Sequence, residues 1–584
     1  MVFLPDDRPA LGAVAALVRA RMRPNVYDLA AFSLIAALVI LAAHGAAGMG
    51  DSLDALSREP VSLDVAGLPE YALRTTLRMF AAIFASLLFT FVVAALAAKS
   101  RRAELIIIPA LDILQSVPVL GFLTFTVTFF MGLFPGSELG AECASIFAIF
   151  TSQAWNMAFS FYQSLKTVPR DLDEASRSFG LSAWQRFWRL EAPFAAPGLI
   201  WNTMMSMSGG WFFVVASEAI TVGSTTVQLP GIGSYLALAI DQQDFAAVGW
   251  AVLAMAFVIL LYDQLLFRPV VAWADKFRAE QTASQQKPRS WMYGLIRRTS
   301  LVKHLLAPFG WIWQRLLMLR LGARMPRLAT ARSRRTSSSV DYLWLAVVVA
   351  VTACGAWLVI DYVRQTLSWR DAFEAFGGGL ATLSRVVILI AVASLIWVPI
   401  GVWIGLRPVV AERVQPLAQF LAAFPANVLF PFAVMGIVAT GVDPNIWLSP
   451  LMVLGTQWYI LFNVIAGASA FPSDLREAAA IYHLRSWTWW RKVILPGIFP
   501  YYVTGALTAS GGSWNASIVA EVASWGDTRL QAYGLGAYIA KATAAGDFPR
   551  VVLGIGVMSL FVTLFNRMLW RPLYVFAERR LRLN

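Results

Sequence analysis

The sequence predicts an all-α polytopic membrane protein built from two parallel six-helix repeats, with about twelve transmembrane helices in all. Three observations predict it. Of the 584 residues, 58% are hydrophobic and only 14% are charged, a balance foreign to soluble domains. Apolar stretches of spanning length recur, among them FSLIAALVILAAHGAAGMG, MFAAIFASLLFTFVVAALAA and VDYLWLAVVVAVTACGAWLVI; a bilayer core asks for about 20 such residues per helix. The chain is also written twice. Glu477 minus Glu174, Pro496 minus Pro193, Trp514 minus Trp211, Glu521 minus Glu218 and Pro572 minus Pro269 all equal 303, while Arg385 minus Arg78, Pro416 minus Pro109 and Pro425 minus Pro118 equal 307.

The first span, 26–48, follows Arg19, Arg21 and Arg23 and carries no small-residue cleavage site, so it reads as a retained helix. The others in the first half are expected near 72–98, 103–133, 141–165, 196–222 and 246–272. The second half repeats them near 341–363, 378–406, 414–440, 446–469, 499–523 and 550–572. An even number of spans returns the first half to its starting side, and the second half then repeats its orientation. The expected organisation is a first repeat over 1–273, a basic cytoplasmic linker over 274–340 and a second repeat over 341–584.

A net charge of +13 would suit nucleic acid on a soluble surface, but here the cations sit between spans. KSRR at 99–102, the run VKHLLAPFGWIWQRLLMLRLGARMPRLATARSRRT and the closing ERRLRLN mark cytoplasmic segments by the positive-inside rule, which places both termini there and leaves no nucleic-acid partner. The linker mixes Arg with Trp and Leu. Such a stretch lies in the headgroup plane against membrane lipids, unless it is a plain tether. Cys143, Cys354 and three histidines provide neither a disulfide framework nor a metal cluster.

The repeated polar stretches DLDEASRSFGLSAWQRFWRLEAP (171–193) and DLREAAAIYHLRSWTWWRKVILP (474–496) stand out against this background. Asp171 with Glu174, and Asp474 with Glu477, have capping-box spacing. Pro169 and Pro472 end the preceding segments. Gly180 permits a left-handed turn, and His483, which tolerates that region better than most residues, stands at the matching position. Two short helices joined by a turn are expected, with Ala175 and Ser176, or Ala478 and Ala479, forming a small face suited to a groove on another protein. Local physics alone also allows a loop helix that Glu174 or Glu477 merely caps.

The spacing of Glu, Ala, turn residue and terminal Pro resembles the cytoplasmic Glu-Ala-Ala loop of binding-protein-dependent ABC importer permeases. QSVPVLGFL, AAFPANVLFPF, LFNVIAGASAFPSDLREAA and WNASIVAEV are similar to the branch that serves nitrate, sulfonate, taurine and bicarbonate importers. The resemblance implies a type I importer transmembrane domain in a bacterial inner membrane, with two permease copies fused. It implies a small-molecule substrate, two ABC ATPase subunits docked through Glu174, Ala175, Gly180, Glu477, Ala478 and His483, and an external or periplasmic solute-binding protein. No Gly-rich phosphate loop is present, so no cofactor is assigned to this chain, and ATP and Mg are expected at the partner ATPase. Ser176 and His483 depart from the motif, so the two docking sites need not be equivalent.

For the path itself, Trp211 and Glu218 are seven residues apart and share a helical stripe, as do Trp514 and Glu521. An intramembrane carboxylate turns toward a cavity or partner, or snorkels to the interface. Gln153, Trp155, Asn156, Gln457, Trp458 and Asn463 add polar groups in the fourth spans, as path-lining residues or as interhelical hydrogen bonds. The glycine pair Gly209 and Gly210 suggests close helix packing. A secondary active transporter built from parallel repeats is the alternative. It would need coupling-ion sites at mid-membrane, yet of the intramembrane acids Asp112, Glu218, Asp263 and Glu521 only Glu218 and Glu521 obey the repeat.

Overall fold

The computed structural model describes residues 26–51, 60–116, 119–222, 225–277, 290–299, 301–319, 338–469, 471 and 473–580. Pro118, Pro472, Arg19, Arg21, Arg23 and the basic run 320–337 lie outside them, as do the side chains of Asp112 and Asp474.

Among the described residues, six helices are long and apolar enough to cross a membrane: Val26–Ala47, Val65–Lys99, Phe245–Ala274, Trp369–Gly405, Ser486–Ala520 and Phe548–Ala577. A seventh is the pair Pro444–Leu454 and Gln457–Ser469, bent by 42°. The remaining expected spans are helical too. Residues 103–133 form Arg101–Ser116 and Val119–Leu133, and 141–165 lie in Leu139–Lys166. Residues 196–222 lie largely in Ala192–Glu218, 341–363 in Ser338–Thr366, and 414–440 in Pro408–Ala423 and Phe430–Thr440. The broken third span has a local cause in the second half, where Phe424 is extended before Pro425, as a residue preceding proline prefers.

The duplication is visible element by element. Helices Arg170–Ser178 and Ser473–Ile481, π-turns Phe187–Glu191 and Trp490–Ile494, helices Ile232–Asp241 and Leu535–Ala544, and π-turns Asp263–Phe267 and Asn566–Trp570 begin and end 303 positions apart. The fifth spans stop earlier than expected, at Glu218 and Ala520. There the chain turns into two antiparallel hairpins, Ala219–Val222 with Thr225–Gln228 and Val522–Trp525 with Thr528–Gln531. Their β-branched and aromatic content favours extended backbone over a further helical turn. In the second hairpin, Gly526 closes the turn at φ +54°.

By contacts the chain divides into two compact units. One comprises Met1–Ala46, Gln163–Trp201 and Leu261–Arg334; the other comprises Ala47–Tyr162, Asn202–Leu260 and Arg335–Asn584. The first unit gathers the first repeated polar loop and the described linker helices Trp291–Arg298 and Leu301–Met318. Arg298 donates to the Tyr27 hydroxyl, and Trp291 donates to Gln264.

The second unit interleaves the two repeats reciprocally. The backbone N–H of Val119 donates to Asn515 Oδ1 at 2.8 Å, and Asn427 Nδ2 donates to the Phe212 carbonyl at 3.5 Å. Phe212 and Asn515 are 303 positions apart. Phe245 stacks on Trp525 at 4.4 Å, and Gly526 N–H donates to the Ile240 carbonyl. Aromatic burial and satisfied backbone groups hold this seam together.

Candidate translocation site

Glu218 and Glu521 each lie at the centre of a buried polar knot. Glu218 accepts from Thr75 Oγ1 at 2.7 Å, Arg78 Nη1 at 2.8 Å and the Gly233 N–H at 2.7 Å. Glu521 accepts from Thr382 Oγ1 at 2.7 Å, Arg385 Nη1 at 3.0 Å and the Ala537 N–H at 3.0 Å. Each carboxylate therefore ties the second and fifth spans to the helix after the hairpin. A Cβ added at Gly231 would clash with the Glu218 carboxylate, and one at Gly534 with the Glu521 carboxylate, so these glycines make room for the acids.

The knots are not identical, since the backbone donor Ala537 lies one position past Gly536, the match of Gly233. Arg78 also grips Glu142 through Nε and Nη2, both at 2.6 Å, whereas the matching position in the second repeat is Asn445, which accepts from the Tyr533 N–H. Removing one partner from such a buried pair costs about 3–5 kcal/mol, because a charge stays behind unpaired. These buried acids fasten helices.

The cavity lies elsewhere. A partly open space of about 140 Å³ in the second unit is lined by both repeats. Gln115, Trp155, Asn156 and Ser206 come from the first; Thr456, Tyr459, Thr508 and Asn515 come from the second. On the fifth span of the second repeat, Thr508, Gly511, Gly512 and Asn515 face it, an i, i+3, i+4, i+7 stripe. Ser206, Gly209 and Phe213 supply the counterpart in the first repeat. Every lining side chain is uncharged. Asn156 Nδ2 donates to Ser206 Oγ at 3.1 Å, Thr456 shares a hydrogen bond with Ser513 at 2.9 Å, and phenylalanines close the remaining wall. Hydroxyls and amides spread between aromatic faces offer a polar solute replacement hydrogen bonds without trapping it on a full charge.

The polar loops are helix–turn–helix units. In the first, Arg170–Ser178 ends at Gly180 with φ +67°; in the second, Ser473–Ile481 ends at His483 with φ +51°. The left-handed turn expected at both positions is present. Glu174 and Glu477 are exposed.

The comparison that decides the family is a double match. Residues 86–268 and 397–570 each match the binding-protein-dependent transport system inner membrane component family. The chain belongs to that family. It carries two fused copies of the permease. Among its relatives, the bicarbonate transport system permease protein CmpB of Synechococcus elongatus is 29% identical over 193 residues, 33% of this chain and 67% of the relative. The nitrate import permease protein NrtB of Leptolyngbya laminosa is 27% identical over 202 residues, 35% of this chain and 66% of the relative. A probable ABC transporter permease protein of Brucella abortus is 24% identical over 260 residues, 42% of this chain and 99% of the relative. The family is one of transport permeases and not of catalysts, multi-pass in the membrane, and it implies ATPase and substrate-binding-protein partners.

Within this permease frame, the residues expected along the path fall into different surroundings. Trp211 and Trp514, each 1% exposed, share a stripe with Glu218 and Glu521 as expected, but that stripe packs inward; the cavity takes the neighbouring one. Trp155 and Asn156 line the cavity, whereas the buried Gln153 lies against Gly210. Gln457 accepts from Trp397 Nε1, Trp458 packs on Trp397 at 5.1 Å, and Asn463 donates to the Tyr459 carbonyl, so all three serve helix packing. Their neighbours Thr456 and Tyr459 do the lining. The offset of 303 pairs Asn156 with Tyr459 and would have found it; selecting by amide side chains missed it.

The loop details also change. Arg170–Ser178 starts at Pro169 without a side-chain cap, because Asp171 already lies inside the helix and cannot cap it with Glu174. The capping box falls instead between Ser182 and Gln185, opening the second short helix. Ser176 and Ala479 are buried within the chain, so the small face is only partly available to a partner through Ala175 and Ala478.

Proposed function

We propose that this chain forms the complete translocation path of an ABC importer, its two repeats replacing a permease dimer. Two ATPase subunits dock from the cytoplasm on the Glu174–Gly180 and Glu477–His483 loops, and a solute-binding protein delivers substrate from the other side. On this reading both termini and the linker 274–340 are cytoplasmic, the linker rests on the inner-membrane surface, and repeats over 1–273 and 341–584 flank it. ATP and Mg act in the partner subunits.

The observation that carries the reading is the uncharged cavity walled by both repeats. Glu218 and Glu521 are committed to Arg78 and Arg385, so no acid repels an anion there. The relatives are named for bicarbonate and nitrate; a small oxoanion is the proposed substrate class, held by Asn156, Ser206, Thr456, Tyr459 and Asn515. The same ion pairs speak against a secondary transporter, which needs carboxylates free to exchange a proton or sodium.

The test is uptake of labelled nitrate and of labelled bicarbonate into proteoliposomes that hold the chain, its copurifying ATPase and the binding protein. ATP-dependent uptake of one of them, abolished by Glu174→Lys or Glu477→Lys while membrane insertion persists, is the expected result. Uptake that runs on an ion gradient without ATP would reject the importer reading.

A further inference from the structure

The two polar loops share a helix–turn–helix outline, although Ser486 takes φ +51° where its match Ala183 is helical, and they differ in what holds them. In the first, Arg186 bridges Asp173 at 3.2 Å and Glu191 at 3.1 Å. The matching residues in the second loop are Trp489, Arg476 and Ile494, which cannot form that brace. The first loop is also covered. Trp184 Nε1 donates to the Leu316 carbonyl at 2.9 Å, Gln185 Nε2 donates to the Met318 carbonyl at 3.0 Å, and Trp188 meets Trp313 edge-on at 5.3 Å. Leu316 and Met318 lie at the C-terminal end of linker helix Leu301–Met318, where carbonyls have no partner within the helix. Leu319 N–H also donates to the Leu316 carbonyl at 3.2 Å, and the loop adds side-chain donors to this helix end.

The residues that make these contacts are not duplicated as a set. Gln185 is matched by Thr488 and Trp188 by Arg491. Only Trp184 has an aromatic equivalent, Trp487, and it stands 70% exposed beside Ile481 and Tyr482; since Tyr482 repeats the exposed Phe179 of the first loop, Trp487 carries the difference.

We infer that the linker helix is a strap that holds the second short helix of the first loop, and that the ATPase partner consequently meets two unlike surfaces, a strapped loop on the first repeat and a bare aromatic one anchored by Trp487 on the second. This rests on the reading that the loops dock ATPase subunits. The occupant of the bare patch is an ATPase subunit because the patch is continuous with Glu477 and Ala478 on the same helix–turn–helix. Exposed Trp and Tyr beside a small polar rim have the composition of an interface hot spot. On the first loop Trp184 is engaged in cis and unavailable as an anchor. The strap gives the linker a purpose beyond tethering, since it fixes the geometry of one docking site while leaving the other to adapt to its partner.

Two measurements on the full chain in nanodiscs test it. Without ATPase, the double substitution Trp184→Phe with Trp313→Ala, which leaves the Ser182–Gln185 capping box intact, should raise amide exchange over 182–191 about tenfold, with 474–496 and the spans unchanged, since a hydrogen bond and an aromatic pair are lost together. Unchanged exchange over 182–191 would overturn the strap. With the copurifying ATPase subunit as probe, Trp487→Ala should weaken binding at least about tenfold and Trp184→Ala by less than about threefold. Equal losses would overturn the asymmetry. If Glu174→Lys and Glu477→Lys both leave the ATPase bound at wild-type affinity, the docking reading itself fails, while the exchange result still decides the strap.

Discussion

At the residue scale, sequence spacing located the special positions better than it assigned their work. Gly180 and His483 were legible because a turn between two short helices needs positive φ, and few residues accept it. His483 carries a steric cost there of about 1 kcal/mol. His483→Gly is therefore expected to leave transport intact and raise stability by about that amount, whereas Gly180→Val should cause a large activity loss; normal transport by Gly180→Val would show that the left-handed turn is dispensable. Glu218 was legible as a costly buried charge but not as a knot, because its partners Thr75 and Arg78 are 143 and 140 residues away. The first repeat adds Glu138, in the connection before Leu139, facing Arg74, Arg78, Glu142 and Asp51. Burial, aided by the Glu142 charge, pushes its carboxyl up to about 7. A raised carboxyl favours the protonated folded state, so this residue makes stability fall as pH rises from about 4.5 to 7 and level off above. Thermal melts of Glu138→Gln in detergent should lack that fall; a slope identical to wild type would remove Glu138 as its source.

At the element scale, helical periodicity identified the spans and misread which face of the fifth span meets the cavity. Two stripes run along Leu495–Ala520. Trp514 and Glu521 continue one into the buried knot, and Thr508, Gly511, Gly512 and Asn515 form the other. Composition favoured the first because Trp and Glu stand out among apolar residues; glycine and threonine do not, although Gly209 and Gly512 repeat at 303. The distinction predicts different phenotypes. Asn515→Leu should cut uptake at least about tenfold through lost polar contact while retaining folded protein and ATPase binding, although Asn515 also accepts from Val119. Thr508→Val, which has no partner across the seam, is the companion variant and should lower uptake with the melt unchanged. Trp514→Ala, by contrast, opens a core site and should lower stability by about 3–5 kcal/mol. Uptake unaffected by both Asn515→Leu and Thr508→Val would remove the stripe from the path.

At the scale of the whole molecule, the duplication predicted two halves but not that most of the first half packs in one compact unit with the second. The hairpins and broken third spans that interleave the repeats have no strong periodicity, and their pairing is long-range, so nothing local announced them. Yet these are the contacts that would join the halves if no covalent linker existed: Val119 to Asn515, Asn427 to Phe212, Phe245 to Trp525 and Gly526 to Ile240. The first two are reciprocal under the repeat, and all four draw on both repeats, as contacts across a subunit interface do. The described linker residues that contact the first loop, Trp313, Leu316 and Met318, all lie N-terminal to 320. Cutting the chain within 320–337 and coexpressing the two pieces should therefore yield a complex that copurifies in mild detergent and keeps most of its ATP-dependent uptake. The first piece retains the strap, so exchange over 182–191 should match the intact chain. Pieces that insert into the membrane but fail to copurify would mean that the covalent link, and not the interleaved seam, holds the two repeats together.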